Sequence, residues 1–171
     1  MKVTRGDIPQ NSLIQKYLPA NYTDTYTCTV INNKNITPDD LQVAFWETKP
    51  AFVDKLFRLR NAIVKLVGLK TGEPDAPTIE ECTKEGLSTD LFAVPDKNEN
   101  ETVAYLSDKH LDAYLSIHFR KNEDGTTTIS LTTIVHFHQA LGYIYFYTIL
   151  PFHHLVVKKM MSFSLTRLLK D

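Results

Sequence analysis

Residues 125–157 contain no Asp, Glu, Lys or Arg, although charged residues make up 23% of the chain. Four of the six histidines lie within this stretch: His136, His138, His153 and His154. Charged side chains are almost never fully buried without a partner, so a long charge-free stretch is typical of chain that is buried in protein, inserted into lipid or wrapped around a ligand. Which of these environments surrounds it determines both the fold and the class of function.

Length and composition predict one globular domain over residues 1–171, with residues 1–23 as a lead-in segment. A hydrophobic content of 43% is ordinary for such a domain. The net charge of −1 and the lack of a Lys/Arg stripe argue against nucleic acid as a partner. Cys28 and Cys82 are isolated thiols without metal-ligand spacing, and the first residues contain no apolar leader, so we expect a cytoplasmic protein.

The first half of the chain is predicted to contain one strand followed by two helices. Residues 25–31 alternate and are rich in Thr and Tyr, which is typical of a strand. Thr37-Pro38 supplies an N-cap hydroxyl and a proline at the first helical position, and so begins a short helix. A longer helix follows, with apolar residues at steps of three or four: Phe52, Leu56, Leu59, Ile63 and Leu66. Within the acidic connection that comes next, we expect one edge strand near residues 78–83.

The second half changes to a two-residue period and predicts an antiparallel meander of four strands, at residues 91–94, 101–106, 111–121 and 126–137. In the last two strands the apolar residues occupy odd-numbered positions, so they share a face only if odd residues pair with odd residues. A three-residue loop, Glu123-Asp124-Gly125, satisfies this condition and pairs Phe119 with Ile129. A loop one residue longer or shorter would turn one apolar set to the wrong side.

From Gln139 to Leu169 the period is helical, and Pro151 is predicted to kink the helix. One stripe of this helix is apolar: Tyr145, Ile149, Phe152, Val156, Met160 and Phe163. His154 belongs to the opposite side and His153 to the boundary. Residues 141–157 are at the short end for a membrane span and include a glycine, a proline and two histidines. We therefore expect no transmembrane span and a helix that covers the apolar face of the last two strands.

Three groups of residues carry a family resemblance that extends over roughly residues 20–165: 56–61 with 68–70, 108–112 with 115–116, and 142–145 with 151–153. In these residues the chain is similar to a bacterial family described only as a domain of unknown function, sometimes fused to short-chain-dehydrogenase-like NAD(P)-binding domains. The element order resembles the α+β helix-grip fold of START-like and pollen-allergen-like proteins, in which a curved antiparallel sheet wraps around a long C-terminal helix, with two helices after the first strand. The resemblance implies binding of an apolar ligand, and it implies no catalytic residue. Because the dinucleotide fingerprint is absent from the sequence, we expect no NAD(P) or other cofactor.

The first candidate site is a cavity between the sheet and the last helix. Twelve residues are predicted to bind a ligand there: Leu115, Ile117, Phe119, Leu131, Thr133 and Val135 from the sheet, Tyr145, Phe152 and Val156 from the last helix, and Phe52, Leu56 and Leu59 from the second helix. Thr133 and Tyr145 would be polar groups in an otherwise apolar lining, as in many small-molecule pockets. Alternatively, the same side chains fill the core at normal density and leave no cavity.

The second candidate site follows from the predicted register, which places Asp112 opposite His136 and His110 opposite His138 on the other face of the sheet. A carboxylate with three imidazoles fits a first-row metal site, or a general base oriented by Asp. Alternatively, these residues form an exposed Asp–His pair of small energetic value.

The sequence therefore predicts a protein that binds a small apolar or amphipathic molecule, with the kinked helix and residues 68–91 as a lid. Tyr143 and Tyr147 on the outer side of the helix suggest a homodimer contact. Two functions from other classes stay open: a metal-assisted or His/Asp enzyme that uses the second candidate site, and a structural partner of a dehydrogenase-like subunit.

Overall fold

The computed structural model of the protein describes residues 1–47 and 76–170. Within these ranges the strands are β1 (Thr4–Arg5), β2 (Tyr22–Val30), β3 (Phe92–Asn98), β4 (Glu101–Ser107), β5 (Leu111–Lys121) and β6 (Thr127–Phe137). They form one antiparallel sheet in the order β1-β2-β6-β5-β4-β3. The predicted meander is therefore confirmed, and β2 extends the sheet beside β6.

The helices of the described residues are a 3₁₀ helix (Leu13–Tyr17), α1 (Pro38–Glu47), α2 (Ile79–Lys84) and α3 (Ala140–Lys170). The α+β class and the long C-terminal helix are confirmed. Helix α1 begins as predicted, because the Asp40 backbone N–H donates to Thr37 Oγ1 at 3.2 Å. The predicted second helix, with the proposed ligand-binding residues Phe52, Leu56 and Leu59, lies outside the described residues.

The hairpin of β5 and β6 has the predicted register. Phe119 pairs with Ile129, and Asp112 pairs with His136. The Asn122 backbone N–H donates to the Thr126 carbonyl at 2.8 Å, which leaves the predicted three residues in the loop. Gly125 has a φ of +80°, the left-handed conformation that glycine adopts without steric cost.

The main core lies between one face of the sheet, helix α1 and the C-terminal half of α3. Its buried members from the sheet and from α3 include Tyr26, Ile117, Phe119, Ile129, Leu131, Val157, Met160, Met161 and Leu165. Fully burying one Ile, Leu or Met side chain contributes about 1.5–3 kcal/mol before entropy is subtracted. The prediction that the last helix covers the apolar face of the hairpin is confirmed.

The inward face of α3 differs from the predicted one. Gly142, Phe146 and Val157 are buried, whereas Phe152 is 48% exposed and Phe163 is 42% exposed. A Cβ on Gly142 would lie 2.3 Å from the His110 carbonyl oxygen, so this close approach places residue 142 and its helical neighbours against the sheet. The side of α3 that was predicted to face the sheet is therefore offset from the observed buried side by about one residue, or about 100° around the helix axis. Periodicity misses such a rotation when the helix carries apolar residues on several sides.

Helix α2 replaces the edge strand that was expected near residues 78–83, and that prediction is wrong. The Glu81 backbone N–H donates to Thr78 Oγ1 at 3.2 Å, and the Thr78 backbone N–H donates to Glu81 Oε2 at 2.7 Å. This reciprocal capping box stabilises a helix start. The Thr-x-x-Glu spacing was present in the sequence and outweighs the β-propensity of the threonines and isoleucine.

The lead-in segment packs against the other face of the sheet. Strand β1 pairs with β2, and the 3₁₀ helix begins over a fully buried carboxylate on β4. Ser12 Oγ and the Leu13 backbone N–H each donate to Glu101 at 2.6 Å, and the Ser116 hydroxyl donates to the same side chain. These charge-assisted hydrogen bonds hold the N-terminal segment in place.

Among the described residues, one helix is long and apolar enough to cross a membrane by length and composition, and that helix is α3. Its second half supplies Val157, Met160, Met161 and Leu165 to the core. Its first half exposes several large apolar side chains: Tyr143, Ile144, Tyr147, Phe152 and Leu155.

Candidate functional site

A cavity of about 300 Å³ lies between the sheet and α3. Strands β5 and β6 line one side of it, α3 lines another, and Phe45 and Trp46 of α1 also contribute to the lining. Most of the lining is apolar, and this volume is at the lower end of the range for small-molecule sites. Of the described residues in the 68–91 part of the predicted lid, Leu91 lines the cavity.

The cavity contains five of the twelve predicted ligand-binding residues: Leu115, Thr133, Val135, Tyr145 and Val156. Three others are buried in the adjoining core and do not line it: Ile117, Phe119 and Leu131. Phe152 lies on the exposed side of α3, which corrects its predicted position, because the helix is rotated as described above. The remaining three lie outside the described residues.

Within the described residues, two buried polar atoms of the cavity lining have no hydrogen-bond partner of ordinary geometry: Thr133 Oγ1 and Trp46 Nε1. A buried polar atom without a partner costs about 1–3 kcal/mol. Most buried polar atoms in proteins avoid this cost, so each exception calls for an explanation. A bound molecule that supplies the missing partners is one such explanation.

An ionisable cluster lies beside this cavity, at the start of β2. The side chain of Asp24 is fully buried, and its Oδ2 accepts a hydrogen bond from the Tyr22 hydroxyl at 2.8 Å. His153 Nε2 lies 3.2 Å from the same oxygen, and His154 Nδ1 lies 3.3 Å from it. The Tyr26 hydroxyl is 2.6 Å from His154 Nδ1. Two histidines and two tyrosines therefore surround one carboxylate.

Burial by itself would raise the pKa of Asp24, but the hydrogen bond from His153, and the positive charge of that imidazole when it is protonated, outweigh it. Together with the hydrogen bond from Tyr22, they hold the pKa of Asp24 below its usual value of 3.8. Burial and the Asp24 carboxylate raise the pKa of both tyrosines, that of Tyr26 to about 12. At neutral pH the cluster therefore holds an ionised carboxylate and two protonated phenols.

Thr133 links the carboxylate to the cavity. It pairs with Asp24 across the ladder of β2 and β6, and both side chains face α3. The Thr133 hydroxyl is near enough to help lower the pKa of Asp24, although it makes no hydrogen bond of ordinary geometry. His153 lines the cavity directly. The carboxylate thus lies immediately behind the cavity wall.

The sequence analysis did not identify Asp24, Trp46 or His153 as site residues, and it placed His154 on the outer side of α3. The sequence did contain a pattern that places Asp24 on the strand, because the alternation Tyr22-x-Asp24-x-Tyr26 continues the strand towards the N-terminus. Starting the predicted strand at residue 25 excluded Asp24 from the face that β2 presents to α3. The position of His154 depends on the rotation of α3, which periodicity did not determine.

The four residues of the second candidate site do not come together. Asp112 Oδ2 lies 3.0 Å from His138 Nε2, and this histidine side chain is 42% exposed. His136 Nε2 instead lies 3.0 Å from the Tyr17 carbonyl oxygen, and His110 Nδ1 lies 3.3 Å from Gln139 Oε1. Among residues 1–47 and 76–170, no group of three His, Cys, Asp or Glu side chains could hold a metal ion. The arrangement is an exposed Asp–His pair, which contributes little to stability.

A family model described as "Protein of unknown function (DUF2867)" matches residues 17–160. No curated protein and no solved structure shows significant similarity to the chain. The matched residues include β2 to β6 and most of α3, and therefore every described residue of the cavity lining and of the Asp24 cluster.

Proposed function

We propose that this chain, which belongs to the DUF2867 family of proteins of unknown function, is a single helix-grip domain that binds a small, mostly apolar molecule between its sheet and α3. The architecture supports this proposal, because a long C-terminal helix lies on one face of an antiparallel sheet and leaves a cavity of about 300 Å³. We place the protein in the cytoplasm, where the two free thiols Cys28 and Cys82 would stay reduced.

The observation that carries the proposal is the pair of unpartnered polar atoms, Trp46 Nε1 and Thr133 Oγ1, in cavity-lining residues. An indole N–H can only donate, so it needs an acceptor such as a carbonyl, ether or hydroxyl oxygen. A ligand with an acceptor near Trp46 would satisfy the indole N–H and so avoid the cost of leaving a buried donor unpaired.

The charge of the cavity lining indicates a neutral ligand. No Lys or Arg is present among the described residues of the lining, and Asp108 is the one carboxylate there. At this described part of the lining, a phosphate or a carboxylate ligand would lose its hydration without gaining a cation in return. A neutral aromatic or alicyclic molecule with one or two oxygen atoms fits both the apolar surface and the unpartnered donors.

The sole tryptophan of the chain, Trp46, provides the test because it lines the cavity. The neutral dye N-phenyl-1-naphthylamine accepts energy from tryptophan and fluoresces strongly in apolar surroundings. We expect saturable energy transfer from Trp46 to the dye in the wild-type protein. Ala113→Leu and Val135→Phe fill the cavity and should weaken the transfer, because both residues line it.

Ile31→Phe is the control, since Ile31 is 71% exposed and lies outside the cavity lining. This variant should bind the dye as the wild type does. Thermal unfolding of each variant establishes that it is folded. The proposal is wrong if the folded wild-type protein shows no saturable transfer, or if both cavity-filling variants bind the dye as tightly as the wild type.

A further inference from the structure

His153 is the point at which the buried ionisable cluster meets the cavity. Its ring lines the cavity, and its side chain is 16% exposed. The Nε2 atom is held by Asp24, whose side chain is fully buried. A buried carboxylate that orients an imidazole at a cavity wall is the arrangement found in general-base catalysis.

The hydrogen-bond partners of Asp24 determine which nitrogen of His153 is available to a ligand. An ionised carboxylate can only accept, so Nε2 carries the hydrogen that lies between the two side chains. A neutral imidazole has one N–H, and Nδ1 is then left with a lone pair. In the described part of the chain no side chain or backbone group makes a hydrogen bond to this Nδ1.

The exposed Asp112–His138 pair shows what distinguishes the Asp24 cluster. Both pairs have a carboxylate oxygen within 3.2 Å of an imidazole nitrogen. The Asp112–His138 pair lies on the opposite face of the sheet, and its histidine is 42% exposed. Tyrosine hydroxyls donate to both carboxylates at 2.8 Å, one from Tyr22 and one from Tyr105. The Asp24 pair is therefore distinguished by its burial at the cavity. Burying a charge is costly, and ionisable clusters in such positions are frequent at functional sites.

We propose that His153 is a general base that removes a proton from the carbon next to a carbonyl group in a neutral molecule bound in the cavity, with Asp24 as its positioning residue. This inference rests on the proposed binding function and names its substrate class. In the reaction the C–H bond breaks, the proton moves to His153 Nδ1, and the electron pair of that bond spreads onto the carbonyl oxygen as an enolate. Return of the proton to the same carbon, or to a conjugated one, regenerates the imidazole, so the step consumes no oxidant or reductant.

Two groups stabilise the charges that this step creates. The Asp24 carboxylate faces the imidazolium that forms on His153, and it does not need to accept the proton itself. The Thr133 hydroxyl, across the ladder from Asp24, makes no hydrogen bond of ordinary geometry within the described residues and would donate to the enolate oxygen. The described lining is mostly apolar and its one carboxylate, Asp108, disfavours an anion, so a carbonyl compound without an anionic group is favoured.

The test uses 2-tetralone, a neutral apolar ketone with acidic hydrogens beside its carbonyl group, in D₂O at constant pD. NMR follows the loss of the signals of these hydrogens as deuterium replaces them. Quenching of Trp46 fluorescence by the ketone measures binding in the same samples. We expect the wild-type protein to accelerate the exchange well above the buffer rate.

His153→Gln keeps a donor for Asp24 but has no basic nitrogen. We expect this variant to exchange at the buffer rate even at 2-tetralone concentrations that saturate the quenching of its Trp46 fluorescence. Asp24→Asn should slow the exchange by about tenfold or more. The matched control is His138→Gln, which alters the exposed Asp–His pair and should leave the exchange rate unchanged.

Asp24 needs a readout that a purely structural role would not change. Long-range ¹H–¹⁵N correlation spectra report which nitrogen of His153 carries the hydrogen. We expect the Nε2–H tautomer in the wild-type protein and a shift towards Nδ1–H in Asp24→Asn. An unchanged tautomer in that variant would refute the positioning role of Asp24.

The outcomes separate this inference from the binding function. If 2-tetralone quenches Trp46 but exchanges no faster with the wild type than with His153→Gln, the general-base role is wrong and the binding function stands. If the wild-type protein neither binds 2-tetralone nor accepts the naphthylamine dye, both are wrong. If His138→Gln abolishes the exchange, the chemistry belongs to the exposed pair and the inference also fails.

Discussion

Gly142→Ala should destabilise the protein, although helix propensity alone predicts the opposite. In an unobstructed helix, replacing Gly by Ala stabilises by about 1 kcal/mol. Here the new Cβ would lie 2.3 Å from the His110 carbonyl oxygen, whereas ordinary contacts begin at 3.4 Å. Because the neighbour is backbone, the start of α3 and the start of β5 would have to separate by about 1 Å.

The magnitude follows from what this separation disturbs. Overpacking a tight contact costs about 1–3 kcal/mol. It would also loosen Phe146, whose ring lies 4.7 Å from that of Tyr22 and 5.4 Å from that of Phe137, at about 0.5–1.5 kcal/mol for each aromatic pair. After the gain in propensity is subtracted, we expect a net loss of about 1–5 kcal/mol. For a chain of this length, that lowers Tm by about 2–20 °C.

Circular dichroism during thermal and urea unfolding measures this loss. Thr148→Ala is the control within the same helix, because residue 148 is exposed and the change should stabilise the helix by about 0.5 kcal/mol. If Gly142→Ala is as stable as the wild type or more so, the close approach of α3 to His110 is not a real constraint. The rotation of α3 that places His153 at the cavity would then need another cause.

Three further predictions concern the ionisable groups of the sheet. Folding lowers the pKa of Asp24 below its ordinary value of 3.8. The ionised carboxylate therefore stabilises the folded protein fully above pH 3.8, and this stabilisation is lost as the pH falls through the lower pKa of the folded state. Below about pH 4, the urea midpoint of Asp24→Asn should therefore decrease less steeply with falling pH than that of the wild type. Glu101→Ala leaves the donors at its carboxylate unpaired in the interior, so the free energy of unfolding should drop by about 3 kcal/mol or more and hydrogen exchange at the Leu13 amide should accelerate. Asp112→Asn removes the negative charge beside the exposed His138 but keeps an amide oxygen that can accept from Tyr105 and Ser107, so the free energy of unfolding should change by less than about 1 kcal/mol, as measured by urea unfolding.

Local rules account for the parts of the fold that the sequence analysis predicted correctly. The register of β5 and β6 follows from a two-residue period and the length of one loop, and both can be read within about thirty residues of chain. The start of α1 follows from the Thr37 cap and Pro38 alone. The same kind of signal was available for α2, where the Thr78–Glu81 box was overlooked.

The candidate site was predictable only in part. Its wall on the hairpin followed from the register, and Leu115, Thr133 and Val135 do line the cavity. The contacts of Asp24 with His153 and His154 were not predictable, because they depend on which side of α3 faces the sheet. A helix with apolar residues on several sides has more than one acceptable inward face, and period alone does not rank them.

The sequence by itself determined which segments of the described chain form the long hairpin and the last helix, because alternation and caps act between near neighbours. Only the tertiary structure decided that His153 meets Asp24, a contact between residues 129 positions apart. That contact depends on a glycine that lets α3 approach the His110 carbonyl and on the extension of β2 back to Tyr22. Neither is a property of a local pattern, since each depends on the shape of the partner against which the segment packs.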